Sequence, residues 1–86
     1  MILSMYTIQD IKVGAYMQPF YTTNEATAIR AIKNLLTDQE HQFSKNPEDF
    51  ALYHLGVYDD EDGKHLLKDA PKHMHNLIDL LEPQDG

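Results

Sequence analysis

Four consecutive acids, Asp59, Asp60, Glu61 and Asp62, lie between the runs Leu55-Gly-Val-Tyr58 and His65-Leu-Leu67. Such a stretch can serve three chemistries: a calcium loop, an acidic surface that imitates nucleic acid, or the tip of a β-hairpin. Register tests the first. An EF-hand loop needs its glycine at the sixth position, which would place Tyr58 at the first and Asp69 at the twelfth. Tyr58 offers no carboxylate, and Asp69 stands where a bidentate Glu is required. The third reading fits better, because Asp62-Gly63 between two apolar runs is turn chemistry in which glycine supplies a positive φ. Mimicry would draw on Glu48, Asp49, Asp69, Asp79, Glu82 and Asp85 as well.

Five histidines raise metal or acid–base chemistry, with His73 and His75 close in sequence to His65. On a helix, residues two apart point about 200° away from each other, so His73 and His75 could not share a metal there, whereas in an extended segment they could. There is no HExxH and no cysteine, and zinc sites rest on such ligands. Ser4 and Ser44 lie on no Gly-x-Ser-x-Gly elbow. The reading is therefore a protein that is not an enzyme and uses no metal or cofactor.

Binding chemistry is left. Lys12, Arg30, Lys33 and Lys45 could meet phosphates or, with Glu48 and Asp49, a partner protein. Tyr6, Tyr16, Tyr21, Tyr53 and Tyr58 could stack on single-stranded bases if an open sheet face lines them up, although half-buried tyrosines are the commoner reason for such residues. Seven Lys and Arg against 14 Asp and Glu give a formal charge of −7, which opposes high-affinity binding to a phosphate backbone. Charges cancel over residues 1–45, so the excess acid lies in residues 46–86.

These residues need elements to position them. A chain of 86 residues is read as a single domain, with residues 1–67 forming a sheet plus a first helix and residues 70–82 a C-terminal helix. MILSMYTI is apolar on both alternating faces and reads as a first strand. AYMQPFY reads as a weak edge strand interrupted by Pro19. Thr22-x-x-Glu25 has capping-box spacing, and Ala28, Ile29, Ile32, Leu35 and Leu36 repeat at helical steps behind it. QEHQFSKNPED reads as a polar loop anchored by Phe43. FALYHLGVY reads as a central strand with Tyr53, Leu55 and Val57 on one face and Leu52, His54, Gly56 and Tyr58 on the other. Asp69-Ala-Pro71 reads as a helix start, followed by a stripe of Met74, Leu77, Ile78 and Leu81 that would cover the other face of the sheet or dock on a partner such as a second copy. The expected fold is α+β: a small antiparallel sheet of three to four strands, one helix packed on it, and a C-terminal helix. No apolar run approaches the roughly 18 residues that span a bilayer, and MILSMYTIQD lacks the features of a signal peptide.

Three stretches carry a resemblance. They are DIKVGAYMQPFY, with Asp10, Lys12, Ala15, Pro19 and Phe20 as matching positions, EATAIRAIKNLLTD, with Ala28, Ile29 and Arg30, and FSKNPEDFALYHLGVYDDEDG, with Phe43, Lys45, Pro47, Glu48, Asp49, Leu52, Leu55, Gly56, Asp59, Asp60 and Gly63, whereas Asn46 and Tyr58 stand where the family pattern has His and Phe. Together, over residues 2–64, they resemble the small nonstructural protein of gokushoviruses, the single-stranded DNA microviruses of bacteria that include the chlamydia phages. The resemblance implies a bacteriophage protein of the host cytoplasm, absent from the virion. It further implies a role in the switch from double-stranded replication to single-stranded genome synthesis and packaging. Its partners would be viral replication proteins or a host replication factor, with any contact to single-stranded DNA weak or indirect.

Overall fold

The computed structural model describes residues 1–81. Its elements are β1 (Ile2–Asp10), β2 (Ala15–Tyr16), β3 (Phe20–Thr22), α1 (Glu25–Leu36), α2 (Gln42–Lys45), a 3₁₀ turn (Pro47–Asp49), β4 (Phe50–Asp59), β5 (Lys64–Asn76) and a second 3₁₀ turn (Leu77–Leu80). All strands are antiparallel, in the order β2-β1-β4-β5, with β3 on the same side of β1 as β2. The architecture is α+β, with five strands rather than three or four. Pro19 explains the extra one: the stretch read as one weak strand is split into β2 and β3, and the residues between them carry the chain across without a ladder.

Helix α1 forms where the apolar spacing places it, but its cap is different. Asn24, not Thr22, is the N-cap, and its Oδ1 accepts from the Thr27 backbone N–H at 2.9 Å. Thr22 still belongs to β3, paired with Ser4, and its hydroxyl donates to the Asn24 carbonyl. Asn is as good an N-cap as Ser or Asp because its side-chain oxygen reaches the same free N–H groups. Ala28, Ile32 and Leu36 are buried from this helix, against Tyr6 and Ile8 of β1 and Phe50 and Leu52 of β4. The segment read as a polar loop holds α2 and the first 3₁₀ turn, with Phe43 buried at ring distances of 4.5 Å from His41 and 4.8 Å from Phe50.

The C-terminal helix expected over residues 70–82 does not form. Residues 64–76 are a long edge strand, and only Leu77–Leu80 turn, as a single 3₁₀ turn; residue 82 lies outside the described residues. Pro71 is tolerated because it lies in Lys68–Pro71, a stretch with no register partner on β4, where a missing N–H leaves no ladder bond unmade. The residues at helical spacing, Met74, Leu77, Ile78 and Leu81, do not form one stripe. Met74 is the extra residue of a bulge and packs on the core, Leu77 is fully buried together with Leu80, and Ile78 and Leu81 are exposed. In a 3₁₀ turn residues three apart eclipse, which is why Leu77 and Leu80 enter the core together. Complete burial of Leu77 contributes on the order of 1.5–3 kcal/mol.

Two of the ladder irregularities meet at Leu55 and bend the sheet. Met5 pairs with Gly56 and Tyr6 with His54, so Leu55 is bulged out of the β1–β4 ladder. On the other side His54 pairs with Lys72 and Gly56 with Leu67, leaving Leu55 opposite the unpaired Lys68–Pro71. Bulges increase twist and bend the strand that carries them, and here two coincide. Gly56 makes the bend sterically possible. It has φ +152°, and a Cβ there would run into the carbonyl oxygen of Leu66 and stand 2.8 Å from the Leu67 Cα.

Candidate functional site

Helix α1 covers one face of the sheet, and the register sorts the strand side chains between that face and the outer one. Tyr6, Ile8, Phe20, Phe50, Leu52 and His54 lie on the helix side. The outer side carries Tyr16, opposite Gln9; Tyr21, opposite Met5; Tyr53, opposite Thr7; and Tyr58, opposite Leu3. His73 continues from Tyr53 onto β5, and His65 continues from Tyr58.

Ring contacts show that these six residues form two rows. Tyr16 and Tyr53 meet edge to face at 5.5 Å, and Tyr53 and His73 do so at 5.4 Å. Thr7, between Tyr16 and Tyr53 on β1, is almost fully buried and donates its hydroxyl to the Met17 carbonyl at 2.7 Å. In the second row Tyr21 and Tyr58 lie 5.5 Å apart, Tyr58 and His65 4.7 Å apart, and the Tyr21 hydroxyl is 3.2 Å from His65 Nε2. Tyr16, Tyr21, His65 and His73 are exposed, while Tyr53 and Tyr58 are half-buried. The bulge at Leu55 produces this arrangement. An odd spacing of five residues would send Tyr53 and Tyr58 to opposite faces of a regular strand, as the sequence reading had it, and the extra residue returns them to one face.

The residues singled out from sequence as a binding site are distributed over several elements. Lys12, in the turn after β1, places Nζ 3.6 Å from Asp49 Oδ2, and the Asp49 carbonyl accepts from Ile11 N–H at 2.8 Å. Glu48 is exposed beside Asp49 in the first 3₁₀ turn. Arg30 is exposed and Lys33 half-buried on α1, and Lys45 is exposed at the end of α2. The structure thus couples Lys12 with Asp49 and leaves the pair Arg30 and Lys33 on a separate element.

The acidic run forms the β4–β5 turn, as its Asp-Gly ending implies. Gly63, with φ +72°, donates its N–H to the Asp59 carbonyl, while Asp59 Oδ1 accepts from Glu61 N–H and Asp62 Oδ1 from Lys64 N–H. The α-amino group of Met1 donates to Asp60 Oδ1 at 2.6 Å, and this hydrogen bond raises its pKa above the ordinary value. Asp60, Glu61 and Asp62 stay exposed.

The histidines take separate roles. His41 Nδ1 accepts from Phe43 N–H and caps α2. His75 Nε2 lies 3.0 Å from Glu25 Oε2, joining β5 to the start of α1. The His54 ring lies tilted against Tyr6 at 4.9 Å, with Nε2 buried and unpartnered. Burial pushes its pKa below the ordinary histidine value, and Lys68 and Lys72 act in the same direction. Among the described residues no three His, Asp or Glu side chains are placed to hold a metal ion. An apolar groove of about 360 Å³ opens on the helix side, lined by Ile8, Met17, Phe20, Ile32, Leu35 and Phe43.

No curated protein and no solved structure matches this chain. A family model described as Phage ORF5 protein matches residues 3–80, so its pattern runs from β1 through β5 and the closing 3₁₀ turn, including the stretch after residue 64 that the sequence resemblance did not reach. A match over nearly the whole described fold makes this chain a member of the Phage ORF5 protein family.

Proposed function

We propose that this phage protein is a non-enzymatic, nonstructural component of single-stranded genome production. It acts in the host cytoplasm, at the switch from double-stranded replication to synthesis and packaging of single strands, through contacts with viral replication proteins or a host replication factor. The gokushovirus resemblance, most specific in the Pro47–Gly63 block, carries this reading, and membership of the Phage ORF5 protein family supports the phage origin on which it rests. That block builds the first 3₁₀ turn, the central strand β4 and the acidic turn. Lys12 and Asp49, with Glu48, Arg30, Lys33 and Lys45, are the charged positions offered to partners.

The test is a phage whose copy of this gene carries an early stop codon, followed through one infection by quantifying double-stranded and single-stranded viral DNA. Double-stranded forms should accumulate while single-stranded genomes fail to appear. An unchanged ratio overturns the reading. A second reading, an acidic mimic that occupies a basic host protein, is favoured by one observation: Asp60, Glu61 and Asp62 are exposed at a single turn. Capture from infected cells separates the two, since recovery of viral replication proteins supports the first and recovery of a basic host protein dependent on these three acids supports the second.

A further inference from the structure

We infer that the outer face of the sheet is a stacking platform for single-stranded DNA, with Tyr53 and Tyr58 as its central rings. The inference rests on the proposed role in placing the protein beside single strands, but the geometry that carries it is independent. Sheet modules that read single strands present aromatic side chains on an open sheet face, with helices on the other side, and stack two or three bases on them. This chain has the same division. Its two rows, Tyr16–Tyr53–His73 and Tyr21–Tyr58–His65, cross the sheet at positions paired with Thr7 and Leu3. Four residues of β1 separate those positions, about 13 Å at strand rise, so bases of one strand can occupy both rows.

Charge is arranged to permit this in an acidic protein. The register-paired strand acids, Asp10 and Asp59, fall on the helix side with Tyr6 and Ile8, and among the described residues no paired outer strand position is Asp or Glu. The outer positions instead supply hydrogen-bonding groups: Gln9, the tyrosine hydroxyls, the two imidazoles, and Asn76, whose Oδ1 lies 2.8 Å from His73 Nε2. Phosphates would nevertheless meet the exposed Asp60–Asp62 turn beyond Tyr58 and His65. Contact is therefore carried by base stacking more than by phosphate pairing, which sets the expected salt dependence. Each phosphate neutralised on a single strand contributes about −0.7 to the slope of log affinity against log salt, and the slope here should be no steeper than about −1.5.

The chain has five tyrosines and no tryptophan, so its own fluorescence reports ring stacking. The experiment titrates the purified full chain with a fluorescein-labelled oligothymidylate of about 16 nucleotides, the upper site size of comparable modules, reading anisotropy and tyrosine quenching together. Saturable binding with quenching is expected, with the matching duplex binding far less. Tyr53→Ala and Tyr58→Ala should each weaken binding about tenfold, as loss of one stacked base does. Tyr53→Phe and Tyr58→Phe keep the ring and should keep the affinity, a comparison that stands even if an alanine variant melts early. Absence of binding overturns the inference, as does loss confined to Arg30→Ala and Lys33→Ala with the tyrosine variants unchanged. A genome defect in the stop-codon phage without oligonucleotide binding removes this site and leaves the replication role. Tyrosine-dependent binding without a genome defect keeps the site and removes the role.

Discussion

Gly56 sits where the two ladder irregularities meet, and its replacement is a direct probe of the bend. In Gly56→Ala the new Cβ collides with β5 backbone, at the Leu66 carbonyl and Leu67 Cα, in a φ region that L residues avoid. A destabilisation of at least about 2 kcal/mol is expected by denaturant unfolding. Gly63→Ala has open space around it and only the left-handed backbone penalty, about 1 kcal/mol. Equal effects of the two would show that the close approach at Gly56 is relaxed in solution. His54 adds a pH test. Its folded pKa lies below the unfolded value, mainly through burial, with Lys68 and Lys72 of β5 lowering it further and the Gly56 backbone and Glu25 opposing. The unfolded chain therefore takes up the proton first as acid is added. The stability tied to neutral His54 is complete above about pH 6.5 and falls as pH drops below that toward the folded pKa. The melting temperature should decline over that window, and His54→Leu should flatten the decline; an identical profile in the variant would assign the acid sensitivity to other groups.

Among the elements, α1 was legible because five apolar residues at helical steps can be buried on one face in no other regular way. The hairpin was legible because Asp-Gly between apolar runs has few alternatives. Strand β5 was not. Pro71 and the spacing of Met74, Leu77, Ile78 and Leu81 mimic an amphipathic helix, whereas the outcome depends on β4, a partner distant in sequence at Ala51 and Leu52. The outer aromatic rows were hidden for a related reason. Alternation assigns Tyr53 and Tyr58 to opposite faces, and only the bulge at Leu55 overrides it. The one local sign was Gly56, since glycine inside an otherwise apolar strand marks a bulge or a close backbone approach. Single substitutions check the reassigned C-terminal segment: Leu77→Ala should cost about 2–5 kcal/mol as a core truncation, while Ile78→Ser and Leu81→Ser should stay within about 0.5 kcal/mol of the parent. Similar losses at all three would restore the single buried stripe.

At the scale of the whole molecule the consequence is that the C-terminal segment belongs to the core and is not an appendage. A chain of 86 residues buries a small fraction of its surface compared with larger domains, and its total stability lies at the lower end of about 5–15 kcal/mol. Residues 70–81 supply Lys72, His73, His75 and Asn76 to the β4 ladder, Met74 to the core edge, and Leu77 and Leu80 to its interior. They also supply His75 to Glu25, the contact that joins β5 to the first turn of α1. Deleting residues 70–86 therefore removes ladder, core and clasp together, and the truncated chain should show the circular dichroism of an unfolded protein with no cooperative melt. Because that deletion cannot separate self-association from folding, the double variant Ile78→Ser/Leu81→Ser is the appropriate probe of a homodimer through this segment. Its core is intact, so it should melt with the parent, and sedimentation then reads association alone. A shift from dimer to monomer in the double variant places the contact at Ile78 and Leu81, whereas a folded, cooperative protein from the deletion would overturn the assignment of this segment to the core.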